Sequence, residues 1–481
     1  MELKRRILHG VVWNSTASAG VYVLNFVTKI VIARLLFPED FGLFAMAFIL
    51  INFLSIFIGF GIISALIYKK EDYEKTKNTA FVLSIITGVA LFVISLFSST
   101  FIASFFHQPA LGTMIQVMSF ILLFDSISSV LNGILLKELE FKKKAAAEFI
   151  SVIIYSSAVI LLALSGFGVW SLVWAYVIQH GTIMIVSWVL VKEKPTLLLD
   201  KKIAKELLSF GKYVLSTSIL SWAVTSIDNI LVGKNLGEEP LGYYSMAFNV
   251  VTLPVLSFTH LITTIFYPVY AKLQDDKERL KKAYLKPLEW SLVVMLPISV
   301  FLFFIPEKIV LIILGQKWIA IVPLLKIFAV YCIFRTICTI ISHLLEGIGK
   351  PKVALGLLAL ELGVIALFII PGIKIWGLAG VALVIVAARG ISAVLHLIAI
   401  QKIMTVTVHE YGTLILRKLL AVLCMCFAVF TINKVLYEHT FLNFAIIAAI
   451  GSLVYFSLLY ILERRLFREF FEHINIGLGR E

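Results

Sequence analysis

Charged residues fall in short clusters along the chain, and the stretches between the clusters are mainly apolar. Most of these stretches have about the 20 residues that a helix needs to cross the hydrocarbon core of a bilayer. Strands of an outer-membrane protein would instead alternate in polarity over about ten residues, and no such run is found in the sequence. The pattern predicts an all-α integral membrane protein with about 14 transmembrane helices. The predicted spans are roughly 9–33, 41–68, 79–105, 111–136, 145–165, 168–191, 207–233, 241–270, 288–305, 320–345, 353–371, 376–401, 413–433 and 441–462.

The composition and the loop charges place this bundle in a membrane and orient it. Hydrophobic residues make up 60% of the chain and charged residues 15%, whereas soluble domains are about half apolar and a quarter charged. Lys and Arg are concentrated in alternate loops, and the other loops contain only Arg34, Lys234, Lys308, Lys317, Lys374 and Lys434. Because the number of predicted spans is even, the positive-inside rule therefore predicts that both termini are cytoplasmic. The net charge of +13 follows from this topology, so we predict no nucleic-acid partner.

The sequence repeats itself across its first twelve predicted helices. An offset of 200 residues matches Ser18 with Ser218, Ile30 with Ile230, Leu36 with Leu236, Glu39 with Glu239, Gly42 with Gly242, and Met46–Phe48 with Met246–Phe248. An offset near 209 pairs Leu136 with Leu345, Lys143 with Lys352 and Gly168 with Gly377. Six helices per repeat preserve the direction of membrane entry, so we predict two parallel-repeat six-helix lobes around a central cavity. The predicted domains are an N-lobe at 1–195, a cytoplasmic linker at 196–206, a C-lobe at 207–402, and two further helices with a cytoplasmic tail at 403–481.

Polar side chains recur along one face of helices 1 and 7, and two arginines lie deep in helices 10 and 12. Ionisable groups inside a membrane are costly, so they usually face the bundle interior or a water-filled cavity. The predicted substrate-cavity residues are Asn14, Ser18, Tyr22, Asn25, Lys29, Ser218, Ser221, Thr225, Asn229, Arg335 and Arg389. Cations outnumber acids among the intramembrane residues, so we expect the cavity to prefer anions. Asp228 is the candidate for ion coupling.

Packing and interfacial anchoring compete with a substrate role at these positions. A single Ser or Thr can pack between helices or bond to the preceding turn. Lys29 and Asp228 lie near predicted helix ends, where a long or polar side chain can reach the interface. Arg335 and Arg389 can each pair with Glu361 or His343 as a structural contact. The sequence leaves these alternatives open.

Motifs for catalysis and for cofactor binding are absent from the sequence. It contains no G-x-x-x-x-G-K-[ST] phosphate loop, no G-x-S-x-G elbow, no H-E-x-x-H and no His/Cys cluster with metal spacing. The four cysteines lie in apolar segments, where a thiol packs as a small hydrophobic group. We therefore predict a protein that is not an enzyme, with no catalytic residue, cofactor or metal.

Several short segments carry a family resemblance. They are Ala33–Gly42 (ARLLFPEDFG), Leu135–Lys144 (LLKELEFKKK), Ile227–Gly233 (IDNILVG), Leu241–Tyr244 (LGYY) and Phe266–Pro268 (FYP). With these segments the chain resembles the polysaccharide and O-antigen-type flippases of the multidrug/oligosaccharidyl-lipid/polysaccharide exporter superfamily, in the branch of the colanic-acid and teichuronic-acid exporters. The resemblance extends to about residue 400 and does not identify the sugar.

This resemblance implies a substrate and a direction of transport. The substrate would be an oligosaccharide on undecaprenyl diphosphate, moved from the cytoplasmic to the outer leaflet of the plasma (inner) membrane for cell-surface polysaccharide assembly, lipopolysaccharide included. Our hypothesis for the movement is alternating access by rocking of the two lobes. Membrane lipids, Na⁺ or H⁺, and other polysaccharide-assembly proteins are the further candidate partners. One alternative is a cation-coupled multidrug exporter of the same superfamily, which would favour an acidic cavity and twelve helices. A second is a membrane polysaccharide polymerase or ligase, which would favour a sizeable outside loop.

Overall fold

The computed structural model describes residues 20–59, 66, 72–404 and 406–464. We number its long helices α1 to α14 in chain order. Their bounds are α1 20–35, α2 Pro38–Ser55, α3 Tyr73–Phe106, α4 Ala110–Lys137, α5 Phe141–Leu164, α6 Val169–Leu190, α7 Lys201–Leu236, α8 Glu238–Leu273, α9 Lys277–Phe304, α10 Val322–Gly347, α11 351–376, α12 378–404, α13 Val408–Val435 and α14 Phe441–Leu462.

Within the described residues, 12 helices are long and apolar enough to cross a membrane. One of them, Pro351–Met404, contains the non-helical residue Gly377, which divides it into α11 and α12. A turn at Ser119 interrupts α4 between Ala110–Met118 and Phe120–Lys137 without dividing the span. The predicted all-helical membrane-protein class is confirmed.

Helix starts follow the local sequence. Pro38 occupies the first turn of α2, where a missing N–H leaves no hydrogen bond unmade, and the Asp40 carboxylate accepts from the Phe37 N–H at 2.9 Å. Asp200 caps α7, and its Oδ1 accepts from the N–H groups of Lys202 at 2.9 Å and Ile203 at 3.1 Å. The Ile203 N–H and the Lys202 N–H hold the pKa of Asp200 below its usual value.

The contacts divide the chain into two compact units. Unit 1 comprises Met1–Met246 with Ile369–Leu378, and unit 2 comprises Ala247–Phe368 with Ala379–Glu481. The predicted lobes, linker and C-terminal segment stay predictions.

The segment before α7 is attached to α3 within unit 1. The Thr196 N–H donates to Asn78 Oδ1 at 2.8 Å, and the Asp200 N–H donates to Thr79 Oγ1 at 3.0 Å. Ile203 and Leu207 are buried against Ala80 and Leu83, whereas Leu197, Leu198 and Leu199 are exposed. The first turns of α7 are therefore anchored to α3, and the three leucines before them are uncovered.

The same backbone conformations recur in the two sequence repeats. Gly168, before α6, has φ 54° and ψ −132°, and Gly377, before α12, has φ 57° and ψ −133°. Residues that carry a side chain rarely adopt this backbone conformation, so glycine is required at both positions. After α4 the Glu140 N–H donates to the Leu135 carbonyl, and after α10 the Lys350 N–H donates to the Leu345 carbonyl, both at 2.8 Å. The offset between the two repeats is thus 210 residues at the ends of α4 and α10 and 209 residues at the starts of α6 and α12.

The last two helices pack on α9 within unit 2. Val293 and Val300 of α9 share a buried cluster with Met425 of α13 and Ile447 of α14. Lys418 of α13 is completely buried, and its Nζ lies 2.9 Å from a carboxylate oxygen of Glu289 and 2.9 Å from one of Glu463. Apolar packing and a buried ionic cluster together fix α13 and α14 to α9.

Candidate functional site

The predicted polar face of α1 lies only partly in the described residues. Asn14 and Ser18 fall outside them, and Tyr22, Asn25 and Lys29 are half-buried in unit 1. Their neighbour Thr28 is buried, and its hydroxyl donates to the Ser156 hydroxyl of α5 at 2.8 Å. Thr28 therefore holds α1 against α5.

The predicted polar face of α7 contains two kinds of environment. Ser221 and Thr225 are exposed, and Ser218 is half-buried. The Thr225 hydroxyl donates to the Ser221 carbonyl at 3.0 Å, which is the ordinary packing of a helical threonine. Their exposure leaves these side chains facing either lipid or a water-filled space.

Asp228 lies at the end of this face and is 2% exposed. Its Oδ2 accepts from the Tyr244 hydroxyl of α8 at 2.6 Å. Its Oδ1 accepts from the Asn229 N–H at 2.8 Å and from the Asn229 side-chain amide at 3.1 Å. A buried carboxyl needs such donors because burial removes its water. The contact ties α7 to α8, and the sequence did not indicate Tyr244 as its partner.

The two predicted arginines come together in unit 2. Arg389 of α12 pairs with Glu361 of α11, with Nη2 and Oε1 2.8 Å apart. Arg335 of α10 donates from Nη1 to the Tyr331 hydroxyl at 2.8 Å. Both guanidinium carbons lie near the Tyr331 ring, at 5.9 Å for Arg335 and 5.6 Å for Arg389. We call Tyr331, Arg335, Glu361 and Arg389 the arginine cluster.

The arginine cluster carries one more positive than negative charge. The Nε atoms of Arg335 and Arg389 are buried and have no hydrogen-bond partner among the described residues. Buried donors without partners are uncommon, and guanidinium groups match the geometry of phosphate and carboxylate oxygens. The arrangement is chemically suited to an oxyanion.

The structure resolves part of what the sequence left open for the arginines. Arg389 uses Glu361, whereas His343 lies 3.4 Å from Glu346 on its own helix. Sequence analysis missed Tyr331, although it stands four residues before Arg335 and therefore on the same helix face.

A second polar pair, which the sequence did not assign to a site, joins α4 to α6 in unit 1. His180 Nδ1 lies 2.5 Å from Asp125 Oδ1, and the His180 ring lies 4.6 Å from the Tyr176 ring. Both side chains of the pair are less than one-quarter exposed. The repeat register was the available signal, because it matches Asp125 with Arg335 and His180 with Arg389.

Unit 1 also contains a cavity of about 300 Å³ between α2, α3 and α7. Phe53, Phe101 and Trp222 are among its walls, and every lining side chain is hydrophobic. This cavity does not suit a charged headgroup. In the part of the chain that the structure describes, no group of three or more His, Cys, Asp or Glu side chains could hold a metal ion.

Comparison with known families places this arrangement in context. Residues 31–323 match the family described as polysaccharide biosynthesis protein. The chain belongs to this family. Its relatives include the teichuronic acid biosynthesis protein TuaB of Bacillus subtilis, 24% identical over 354 residues that cover 73% of each chain. The lipopolysaccharide biosynthesis protein WzxC of Escherichia coli is 23% identical over 356 residues, covering 74% of this chain and 72% of WzxC.

Solved structures support the fold. The lipid II flippase MurJ in an inward closed conformation superposes with a TM-score of 0.79 and 18% identity, covering 95% of this chain and all of MurJ. A multidrug-resistance MATE transporter in an inward-facing conformation has a TM-score of 0.65 and 20% identity, covering 80% of this chain and 94% of that one. Together with the family, these similarities identify the chain as a multi-pass membrane transport protein of polysaccharide biosynthesis and not an enzyme.

Proposed function

We propose that this protein is a flippase for an oligosaccharide linked to undecaprenyl diphosphate. It moves the lipid from the cytoplasmic to the outer leaflet of the plasma membrane for cell-surface polysaccharide assembly. Family membership supports the general activity, and relatives such as the succinoglycan biosynthesis transport protein ExoT and the probable flippase Agl15 are named for transport. The observation that carries the substrate class is the surplus positive charge of the arginine cluster.

In this proposal the diphosphate binds at the arginine cluster. Glu361 orients Arg389, Tyr331 orients Arg335, and the guanidinium N–H groups that these two partners do not engage are proposed to bind phosphate oxygens. Glu361 neutralises only one of the two arginines. The negative charge of a bound diphosphate therefore offsets the remaining cost of burying two arginines. The polyprenyl tail stays in lipid.

The α1 and α7 positions take the sugar and a second phosphate contact. Lys29 is the further cation. The hydroxyl and amide groups of the other predicted cavity residues bind glycan hydroxyls in this proposal. These residues are Asn14, Ser18, Tyr22, Asn25, Ser218, Ser221, Thr225 and Asn229. Alternating access between the predicted lobes moves the headgroup, and both termini lie in the cytoplasm.

Asp228 is the proposed coupling site for Na⁺ or H⁺. Tyr244 and Asn229 already donate to both of its oxygens and the side chain is 2% exposed, so an incoming cation reaches it only when the surrounding helices move apart. Coupling at Asp228 therefore requires α7 and α8 to change their contact during transport.

Reconstitution in vesicles tests the proposal. The purified protein is combined with fluorescent undecaprenyl-diphosphate oligosaccharides, and accessibility of the sugar to an impermeant outside reagent is followed. We expect protein-dependent exposure of the sugar and loss of that activity in Lys29→Ala. Lys326→Ala, which changes an exposed lysine on α10, is the matched control and should transport normally.

Absence of protein-dependent exposure across a panel of such lipids would refute the flippase. Export of cationic dyes by the same vesicles, without lipid transport, would instead identify a multidrug exporter. Normal transport by Lys29→Ala would remove Lys29 from the substrate path.

A further inference from the structure

The first turns of α2 and α8 cross in unit 1 with almost no space between their backbones. A Cβ built on Gly42 would lie 1.8 Å from the carbonyl oxygen of Glu238. A Cβ built on Gly242 would likewise lie 1.8 Å from the carbonyl oxygen of Pro38. Small residues permit such close helix approach, and no side chain larger than hydrogen fits at either position. We call this contact the glycine crossing.

The glycine crossing is symmetric with respect to the sequence repeat. Gly42 and Gly242 are matched by the 200-residue offset, and so are Pro38 and Glu238, whose carbonyls they approach. Each partner thus presents the same surface to the other, as in an isologous dimer interface. Such a contact lies on the twofold axis that relates its two halves.

This symmetry explains why the repeat is most visible around the crossing. The identities at Leu36, Glu39, Gly42 and Met46–Phe48 with their partners lie within a few residues of the contact. In an isologous contact, two equivalent surfaces pack against each other. A substitution in one repeat therefore alters the fit to the equivalent surface of the other repeat. Identity between the repeats is therefore concentrated at the crossing.

A dry layer lies directly beneath the crossing. A Cβ on Gly233 would meet the side chains of Met46 at 3.1 Å, Phe106 at 3.1 Å and Leu241 at 3.2 Å. All three side chains are buried. The Gln108 side-chain amide also donates to the Glu238 carboxylate, which fastens the segment after α3 to the start of α8. The side chains that surround Gly233 in this layer are therefore apolar and buried.

We propose that the glycine crossing is the gate at the end of the transport path where α1 turns into α2. A path between two repeats runs along their pseudo-twofold axis, so a contact on that axis blocks it. Because backbone meets backbone, the contact cannot loosen by side-chain rotation and is either formed or broken. The inference rests on the proposed flippase function, and in the proposed orientation this gate faces outward.

Cysteine labelling tests the gate without any lipid-linked sugar. Met46→Cys, in a background lacking the four native cysteines, places a thiol one helical turn below Gly42. In vesicles, an impermeant maleimide added outside should label it slowly. Adding Gly42→Ala or Gly242→Ala should accelerate labelling about tenfold, because the methyl destabilises the closed state.

The symmetry of the crossing gives the test its controls. Gly42→Ala and Gly242→Ala should act equally, and the double variant should exceed neither, because both break one contact. Gly363→Ala places its methyl in open space and should leave labelling unchanged. Gln108→Ala removes the fastening bond without adding volume and should accelerate labelling less than the glycine variants.

Each outcome decides the proposal. Unchanged labelling in folded glycine variants would overturn the gate, as would acceleration by only one of them or an equal effect of Gly363→Ala. If the glycine variants fail to fold, unchanged labelling in Gln108→Ala overturns it. A protein that transports no lipid-linked sugar but shows the predicted labelling would refute the flippase and keep the gate.

Discussion

The α4–α6 pair of unit 1 and the α10–α12 pair of unit 2 place polar groups at matching positions but with different chemistry. Asp125 and Arg335 lie the same number of residues before the carbonyls that accept the hydrogen bonds at the ends of α4 and α10. His180 and Arg389 lie the same number of residues after the two positive-φ glycines that precede α6 and α12. In unit 1 the matched residues bind each other. In unit 2 both are arginines, and Glu361 from a third helix balances only one.

This difference shows that matched positions on a repeated scaffold can carry different side-chain chemistry. The scaffold places a polar side chain at each of the four positions. The two members of the α4–α6 pair bind each other through the contact between His180 Nδ1 and Asp125 Oδ1. The arginine cluster keeps a net positive charge and buried donors, so it is the region suited to an anionic headgroup.

Removing the partner of Glu361 should have the largest effect. Arg389→Ala leaves a carboxylate that is 2% exposed without its cation, and we expect a loss of about 3–5 kcal/mol in stability. Thermal unfolding of the purified protein measures this loss. The double variant Glu361→Gln, Arg389→Gln removes both charges and should recover most of it. An equally unstable double variant would contradict the charge-pair explanation.

Transport should separate the two regions. Arg335→Gln removes a charged donor that forms no salt bridge among the described residues, and we expect transport to fall about tenfold to a hundredfold, equivalent to about 1.5–3 kcal/mol, with little loss of stability. His180→Gln, the matched change in unit 1, should transport almost normally in the same vesicle assay. Equal losses in the two variants would show that the regions share one role.

The two positive-φ glycines before α6 and α12 test whether the backbone is equally strained in the two repeats. Gly168→Ala and Gly377→Ala place an alanine at φ 54° and 57°, and we expect each to lose about 1–3 kcal/mol of stability. Gly356→Ala, on α11 with open space around it, is the control. Losses that differ strongly between the two glycines would indicate that the shared conformation has different surroundings.

The smallest effect should come from the Tyr331 hydroxyl. Tyr331→Phe removes the acceptor of Arg335 but keeps the ring near both guanidinium groups, and we expect a stability loss of about 0.5–1.5 kcal/mol. Thermal unfolding again measures this loss. A larger loss, matching that of Arg389→Ala, would mean that Tyr331 rather than Glu361 supports the cluster.

Most of the fold was predictable because membrane spans depend on length and hydropathy. Prediction of 441–462 agrees with α14, and 111–136 differs from α4 by one residue at each end. The predicted span 41–68 continues past Ser55, where α2 ends, and residues 60–65, 67 and 68 of that span lie outside the described residues. Prediction also ended helix 11 at Pro371, yet the helix continues to Gly377, whose positive φ marks the break.

The site was predictable in its residue types and not in its pairings. Composition and position on the helix singled out Arg335, Arg389 and Asp228. Which acid meets Arg389, and which hydroxyl meets Asp228, depends on helices that are distant in sequence. Helical spacing could have indicated Tyr331, whereas Tyr244 required the packing of α7 on α8.

The buried Lys418 has a consequence for biosynthesis. Glu289 is synthesised well before Lys418, whereas Glu463 follows it at the end of α14. The lysine therefore meets one carboxylate, that of Glu289, as α13 is made. The second contact, which joins the end of α14 to α13, forms only after the last helix has been synthesised.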